Sequence, residues 1–146
     1  MAEKIRGERV TKEELKQISA NNRKLVRLKN KYEALRYKSQ MKGQVLTGMP
    51  HVAGVKDGVG DYVIEMTDLK SEIDLLEHAN QILIARARRY IESIPDWVIQ
   101  MILELKYINN LYADEIVSMV GVKEIRKEKD IYRIINTFFL DQLLYM

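Results

Sequence analysis

The sequence predicts an all-α protein: a long antiparallel helical hairpin of coiled-coil type, followed by a C-terminal helix-turn-helix bundle. Three observations carry this. Leu, Ile, Lys and Glu dominate the 146 residues, and the only prolines are Pro50 and Pro95, a composition that favours helix. Two long segments repeat apolar residues at alternating three- and four-residue spacing, the pattern of a narrow packing seam. A shorter C-terminal stretch reads as helix, turn, helix. Hydrophobic residues make up 47% and charged residues 31%, a balance that folds rather than one that stays disordered.

Residues 1–10 read as a frayed basic end. A helix is expected from Thr11, because Thr11-Lys-Glu-Glu14 matches a capping box. Ile18, Leu25 and Tyr32 step by seven, with Leu28 and Leu35 as the companion series and Asn21 in its earlier slot; the seam runs to about Met41. Five of the seven glycines and Pro50 fall in 43–60, which predicts a connecting loop. Its glycines lack the spacing of a phosphate-cradling loop. Asp57 and Asp61 bracket the next helix start, where they suit caps. That helix holds Val59, Met66, Ile73, Asn80, Ala87 and Ile94 in one heptad position. Tyr62, Leu69, Leu76, Leu83 and Tyr90 occupy the other. An antiparallel hairpin within one chain is the economical pairing of the two seams, with an intermolecular coiled coil as its competitor. Asn80 is polar at a seam position, where such a residue fixes register at a cost in stability; Asn21 or Asn22 is its expected partner.

Pro95 ends this helix, and Ser93 or Ile94 is expected to cap the next. Val98, Ile99, Ile102 and Leu103 suit a buried helix, with Trp97 expected in the packing. Tyr107–Gly121 then reads as a first helix end, a turn and a second helix. Ala113, Ile116, Val117 and Val120 give one apolar face. Asp114 and Glu115 sit where the helix dipole favours negative charge, and Gly121 stands where a left-handed cap is needed. A helix-turn-helix and an ordinary hairpin in a bundle both fit these residues. The last helix is expected to begin between Lys123 and Lys129, with Ile131, Ile134, Ile135, Phe138 and Leu143 inward and Lys127, Lys129, Arg133, Asn136 and Thr137 outward. Residues 1–94 form the hairpin in this reading and 95–146 the helix-turn-helix domain.

The net charge of +3 is unevenly placed. Residues 1–43 hold 13 Lys/Arg against 5 Glu, a balance of +8. A basic first helix suits either a phosphate backbone or an acidic partner, including the acidic second helix of the same chain. No cysteine occurs, so disulfides and thiolate metal sites are excluded. His51 and His78 lack metal-ligand spacing, and no nucleophile pattern is present. The expectation is a non-enzyme without cofactors. No apolar run approaches the roughly 20 residues that span a bilayer, and no signal peptide is visible, which suggests a cytoplasmic protein without a membrane partner.

Several blocks together resemble a known group. They are Thr47-Gly-Met-Pro-His51 with Gly54, Asp57 and Val59-Gly-Asp61, then Asp68-Leu-Lys-Ser-Glu-Ile73. Ile102-Leu-Glu-Leu-Lys-Tyr107 follows, with Leu111, Glu115-Ile116, Gly121 and Ile131-Tyr-Arg-Ile134. Over roughly residues 28–140 the chain resembles the phage and prophage late-gene transcription regulators of the RinA and ArpU type, whose C-terminal part is similar to region 4 of bacterial sigma factors. It departs from their pattern at Tyr112, at Val117 and in a longer Val122–Glu128 connection. The resemblance implies that Leu111–Gly121 positions a reader helix around Lys129–Phe139. Lys127, Lys129, Asp130, Tyr132, Arg133 and Asn136 would then face base edges and phosphates, and Lys123 and Arg126 would touch phosphates. The implied partners are double-stranded DNA, RNA polymerase and a second copy joined through the coiled coil and the apolar end Phe138–Met146. The alternative is a non-catalytic coiled-coil interaction protein, or a phage DNA-packaging or structural protein.

Overall fold

The computed structural model describes residues 9–47 and 58–144. It is all-helical, with five helices among the described residues: α1 (Lys12–Thr47), α2 (Gly58–Glu92), α3 (Trp97–Leu103, running on as a π-helical turn, Glu104–Ile108), α4 (Ala113–Val120) and α5 (Glu128–Leu144). No described helix is long and apolar enough to cross a membrane. The chain divides into two compact units, Met1–Asn22 with Asn80–Met146, and Arg23–Ala79; α1 and α2 each contribute to both.

Thr11 starts α1 as its spacing predicts. Its Oγ1 accepts the Glu14 amide at 3.2 Å, satisfying one of the orphan donors of the first turn. The Glu14 carboxylate instead meets Arg86 at 3.2 Å. The helix continues past Met41 to Thr47, so Gly43 lies inside it. One glycine costs a helix only about 1 kcal/mol, and the helix runs on past it to Thr47. The expected 43–60 loop thus narrows at both ends. The remainder, with His51 and Asp57, lies outside the described residues, as does the side chain of Asp61.

In the unit Arg23–Ala79 the two helices bury Leu25 and Leu35 on α1 and Leu69 and Ile73 on α2. Tyr32, Met66 and Leu76 are half-buried. Lys24–Glu72 (3.8 Å) and Lys29–Glu77 (3.4 Å) flank this seam.

The larger unit has a deeper core. Leu15, Ile18, Ala87, Tyr90, Ile102, Leu103, Ile116, Ile131 and Ile135 are essentially sealed from solvent. Each of the Leu and Ile side chains removed from water stabilises the fold by up to about 1.5–3 kcal/mol. α3 packs on α4 and α5, and α4 on α5. Phe138 meets Phe139 edge-on at 5.1 Å, an arrangement the ring quadrupoles favour.

Within this core runs a chain of amides. Gln17 Nε2 donates to Asn21 Oδ1 (2.7 Å), and Asn21 Nδ2 to Asn80 Oδ1 (3.1 Å). Asn80 Nδ2 donates to Asn22 Oδ1 (2.8 Å), and Asn22 Nδ2 to the Ile108 carbonyl (3.1 Å) and Asn110 Oδ1 (3.3 Å). Asn110 Nδ2 ends the series on the Ser19 carbonyl (3.0 Å). Asn80 is therefore paired with both expected asparagines while only 2% exposed.

Three expectations are corrected. Asp96, rather than Ser93 or Ile94, caps α3; its Oδ1 accepts the amides of Val98 (2.9 Å) and Ile99 (3.4 Å). Ser93 is occupied in donating to the Tyr90 carbonyl. Trp97 is 58% exposed; helical periodicity puts it opposite the side that Ile102 and Leu103 bury. Leu143 is 65% exposed, about a third of a turn from the side set by Ile131, Ile135 and Phe138, and Phe139 takes the inward place.

Candidate nucleic-acid interface

The surface in question is built by the end of α3, by α4, by the turn 121–127 and by α5. The π-helical turn comes first. Asn109 N donates to the Glu104 carbonyl and Leu111 N to that of Leu105, both at 3.0 Å. The extra residue in this turn carries Tyr107 and Ile108 inward, where both are buried. Lys106 is directed to α5, its ammonium 4.8 Å from the centroid of the Tyr132 ring, within cation–π range. Burial pushes the Tyr107 hydroxyl up to about 12, with the neighbouring Tyr132 and Glu13 adding to the effect. Asn110 has a left-handed backbone (φ 55°), which asparagine tolerates better than most residues. Its amide, bonded to Asn22 and Ser19, pins this turn to α1.

α4 begins at Tyr112, whose extended backbone is the cap position. A phenol cannot reach the first-turn amides, and the Tyr112 side chain makes no cap bond. Glu115 Oε1 instead accepts the Tyr112 amide at 3.0 Å, half of a capping box. The ring is left 77% exposed. Ala113, Ile116 and Val120 face the core. Gly121 closes the helix at φ 65°, as the sequence predicts. Open space surrounds the place where its Cβ would stand, so the glycine is required by backbone conformation and not by crowding.

The connection to α5 is not a slack loop. Ile125 is buried within it, and its amide bonds the Val122 carbonyl at 3.2 Å. Arg126 Nε holds the Lys123 carbonyl at 3.1 Å. Asp130 Oδ2 accepts the amides of Arg126 and Lys127, both at 3.0 Å, and Asp130 Oδ1 meets Arg133 at 3.3 Å. The two backbone amides hold the Asp130 carboxyl below the usual carboxylate range; desolvation opposes them, and the nearby Arg133 and Lys129 charges add lesser lowering effects. Sequence reasoning treats Asp130 as an outward-facing reader residue. Its place is instead at the start of α5, where it closes the first turn and neutralises part of the helix dipole.

On α5, Lys129, Tyr132, Arg133 and Asn136 lie within about a third of the circumference, opposite Ile131, Ile135 and Phe138, and all four are exposed. Lys123, Arg126 and Lys127 are exposed on the turn before them. The structure thus assembles Lys129, Tyr132, Arg133 and Asn136 on one face, with the other three basic residues leading into it. Four of the seven are partly committed: Arg126 to the Lys123 carbonyl, Tyr132 to the Lys106 ammonium, Arg133 to Asp130, and Asn136 to Lys12, whose ammonium donates to its Oδ1. Lys12 and Lys106 are the residues that sequence reasoning missed. Both reach this face from other helices, and only tertiary packing and the π-helical turn bring them there, so no sequence signal marks them. Among the described residues no cluster of three or more His, Cys, Asp or Glu could hold a metal ion.

The outward face of α5 continues into Leu140, Leu143 and Leu144, all exposed. A groove of about 340 Å³ lies beside them, lined by residues that include Val10, Thr11, Lys12, Phe139 and Leu143. The comparisons with known proteins give no identity to set beside this geometry: no protein-family model, curated protein or solved structure matches the chain.

Proposed function

We propose that this chain is a DNA-binding transcription regulator of the phage or prophage late-gene type, in which α3, α4 and α5 act as a helix-turn-helix domain and α1 with α2 as a helical hairpin. The observation that carries the reading is the outward face of α5. A short capped helix, α4, packs behind it, and the face offers Lys129, Tyr132, Arg133 and Asn136, with Lys123, Arg126 and Lys127 leading in. Arginine and lysine suit guanine acceptors, and asparagine suits adenine. The turn cations suit phosphates. The Arg133 guanidinium is itself largely exposed, and the Asp130 carboxylate keeps the Arg126 and Lys127 amides when Arg133 leaves it, so Arg133 can turn to a base or phosphate. RNA polymerase is a further partner in this reading. A homodimer would form through the hairpin and the exposed Leu140, Leu143 and Leu144.

The test is binding to duplex DNA from the promoters of the chain's own gene neighbourhood, with scrambled duplex as control. Replacing Lys129 and Arg133 by Ala should cost about 1–3 kcal/mol for each residue that reads a base. Equal affinity of the double variant for both duplexes, matching the parent, would remove these residues from the proposal. The exposed leucines also favour a second reading, a coiled-coil interaction or DNA-packaging subunit. A stable ring-sized oligomer in sedimentation would select it over a dimeric regulator.

A further inference from the structure

We infer that one face of α1, carrying Arg23, Arg27, Lys31 and Lys38, is a second and sequence-independent contact for the phosphate backbone of double-stranded DNA. Residues 23, 27, 31, 34 and 38 fall within about 80° of the helix circumference, and at about 1.5 Å per residue they span roughly 22 Å. The only other member of this stripe is Ala34, so it holds no carboxylate and no large apolar side chain. All five positions are exposed. Lys24 and Lys29 flank the seam and are joined to Glu72 and Glu77, while Arg36 is joined to Glu33. Arg27, Lys31 and Lys38 make no ion pair among the described residues.

The composition of the stripe selects its partner. A protein–protein interface needs an apolar centre and is poor in lysine; between Arg23 and Lys38 the stripe has no such centre, its exposed apolar neighbours Val26 and Tyr37 lying to one side and Met41 beyond Lys38. A phosphate backbone asks only for long cations at regular intervals, since the gain comes from released counterions. The stripe spans the rise of six or seven base pairs at about 3.4 Å each. Residues 23–41 hold seven Lys/Arg and a single Glu, so its field is not cancelled along the same helix.

This inference shares with the proposed function only the premise that duplex DNA is the ligand. The experiment measures binding of the full chain to a scrambled duplex of about 30 base pairs across a salt series. The parent is compared with R27Q/K31Q/K38Q and with the charge-keeping R27K/K31R/K38R. Neutralising three phosphate contacts should lower the slope of log affinity against log salt by about 2.7, while the charge-keeping variant retains it. An unchanged slope in the glutamine variant overturns the inference and leaves the α5 reading standing. Loss of self-association in that variant with an unchanged slope also overturns it, because the partner would then be the acidic face of a second copy. Absence of duplex binding by the parent at about 50 mM salt defeats both readings together. Helical content by circular dichroism checks that each variant is folded.

Discussion

The units Arg23–Ala79 and Met1–Asn22 with Asn80–Met146 are built from the same two long helices, yet they hold together differently. In Arg23–Ala79 two helices meet along one narrow line, its buried residues keep 6–8% of their surface exposed, and its ion pairs are solvent-facing. In the larger unit α3, α4 and α5 close over the helices, and many core residues fall to 0–2%. The difference teaches that heptad patterning alone does not set local stability; what matters is how many elements share the buried stripe. A two-helix seam leaves each side chain partly wet, whereas a multi-helix core seals it and leaves polar groups no water to turn to.

Several measurements sharpen or break that comparison. The largest effect is expected from truncating the sealed core. Ile116→Ala and Ile131→Ala should each cost about 2–5 kcal/mol in denaturant unfolding, and Leu35→Ala in the two-helix unit clearly less. A Leu35→Ala cost equal to the core values, and dependent on protein concentration, would mean that the seam is covered by a second copy. Next comes the buried amide series. Asn80→Leu leaves Asn21 and Asn22 without their partner, which should cost about 1–3 kcal/mol. A stabilised variant would show that the amides serve register alone.

Alkaline titration tests the sealed unit in another way. An unfolded tyrosine ionises near 10, whereas Tyr107 in the fold holds its proton to about 12. Between these values the unfolded chain is the one that loses the proton, so stability should fall as pH rises through the window. Tyr107→Phe should remove that part of the loss, read as a flatter pH dependence above 10. Asp130 has the opposite sign. Its folded carboxyl is held below the ordinary 3.8, so its contribution is complete above that value and is lost as pH falls through the lowered one. Asp130→Asn should flatten the acid limb of the unfolding curve. The smallest effect belongs to the seam charges. A double-mutant cycle on Lys29 and Glu77 should return about 0.2–1 kcal/mol, reduced by salt.

The parts of this structure that were legible in the sequence depend on neighbours along the chain. The seams, the Thr11 cap, the αL glycine at 121 and the apolar face of α4 follow from spacing, because side-chain direction in a helix is fixed by backbone periodicity. The Asn80 pairing was legible because a polar residue in an apolar series demands a partner. What escaped depends on choices among competing local bonds. Asp96 rather than Ser93 is the cap because it directly precedes Trp97, while the Ser93 hydroxyl is bonded to the Tyr90 carbonyl. The π-helical turn changes the register ahead of α4, and with it the direction of Lys106. Asp130 reads as surface charge until the amides of Arg126 and Lys127 are seen to converge on it. Trp97 reads as core by composition alone, although its place on α3 turns it outward. At the candidate interface the exposed cations of α5 were therefore legible, and their partners Lys12, Lys106 and Asp130 were not.

The amide series also constrains how this chain can diverge. Gln17, Asn21, Asn80, Asn22 and Asn110 all donate in one direction, each supplying the acceptor that its neighbour requires. A single replacement strands a group on either side, so mutations here are tolerated in company and purged alone. Lineages descended from this sequence should keep the set intact or exchange several members in one step for apolar side chains. The turn before α4, held by the last of these residues, would then inherit its position from substitutions made on helices far away in sequence.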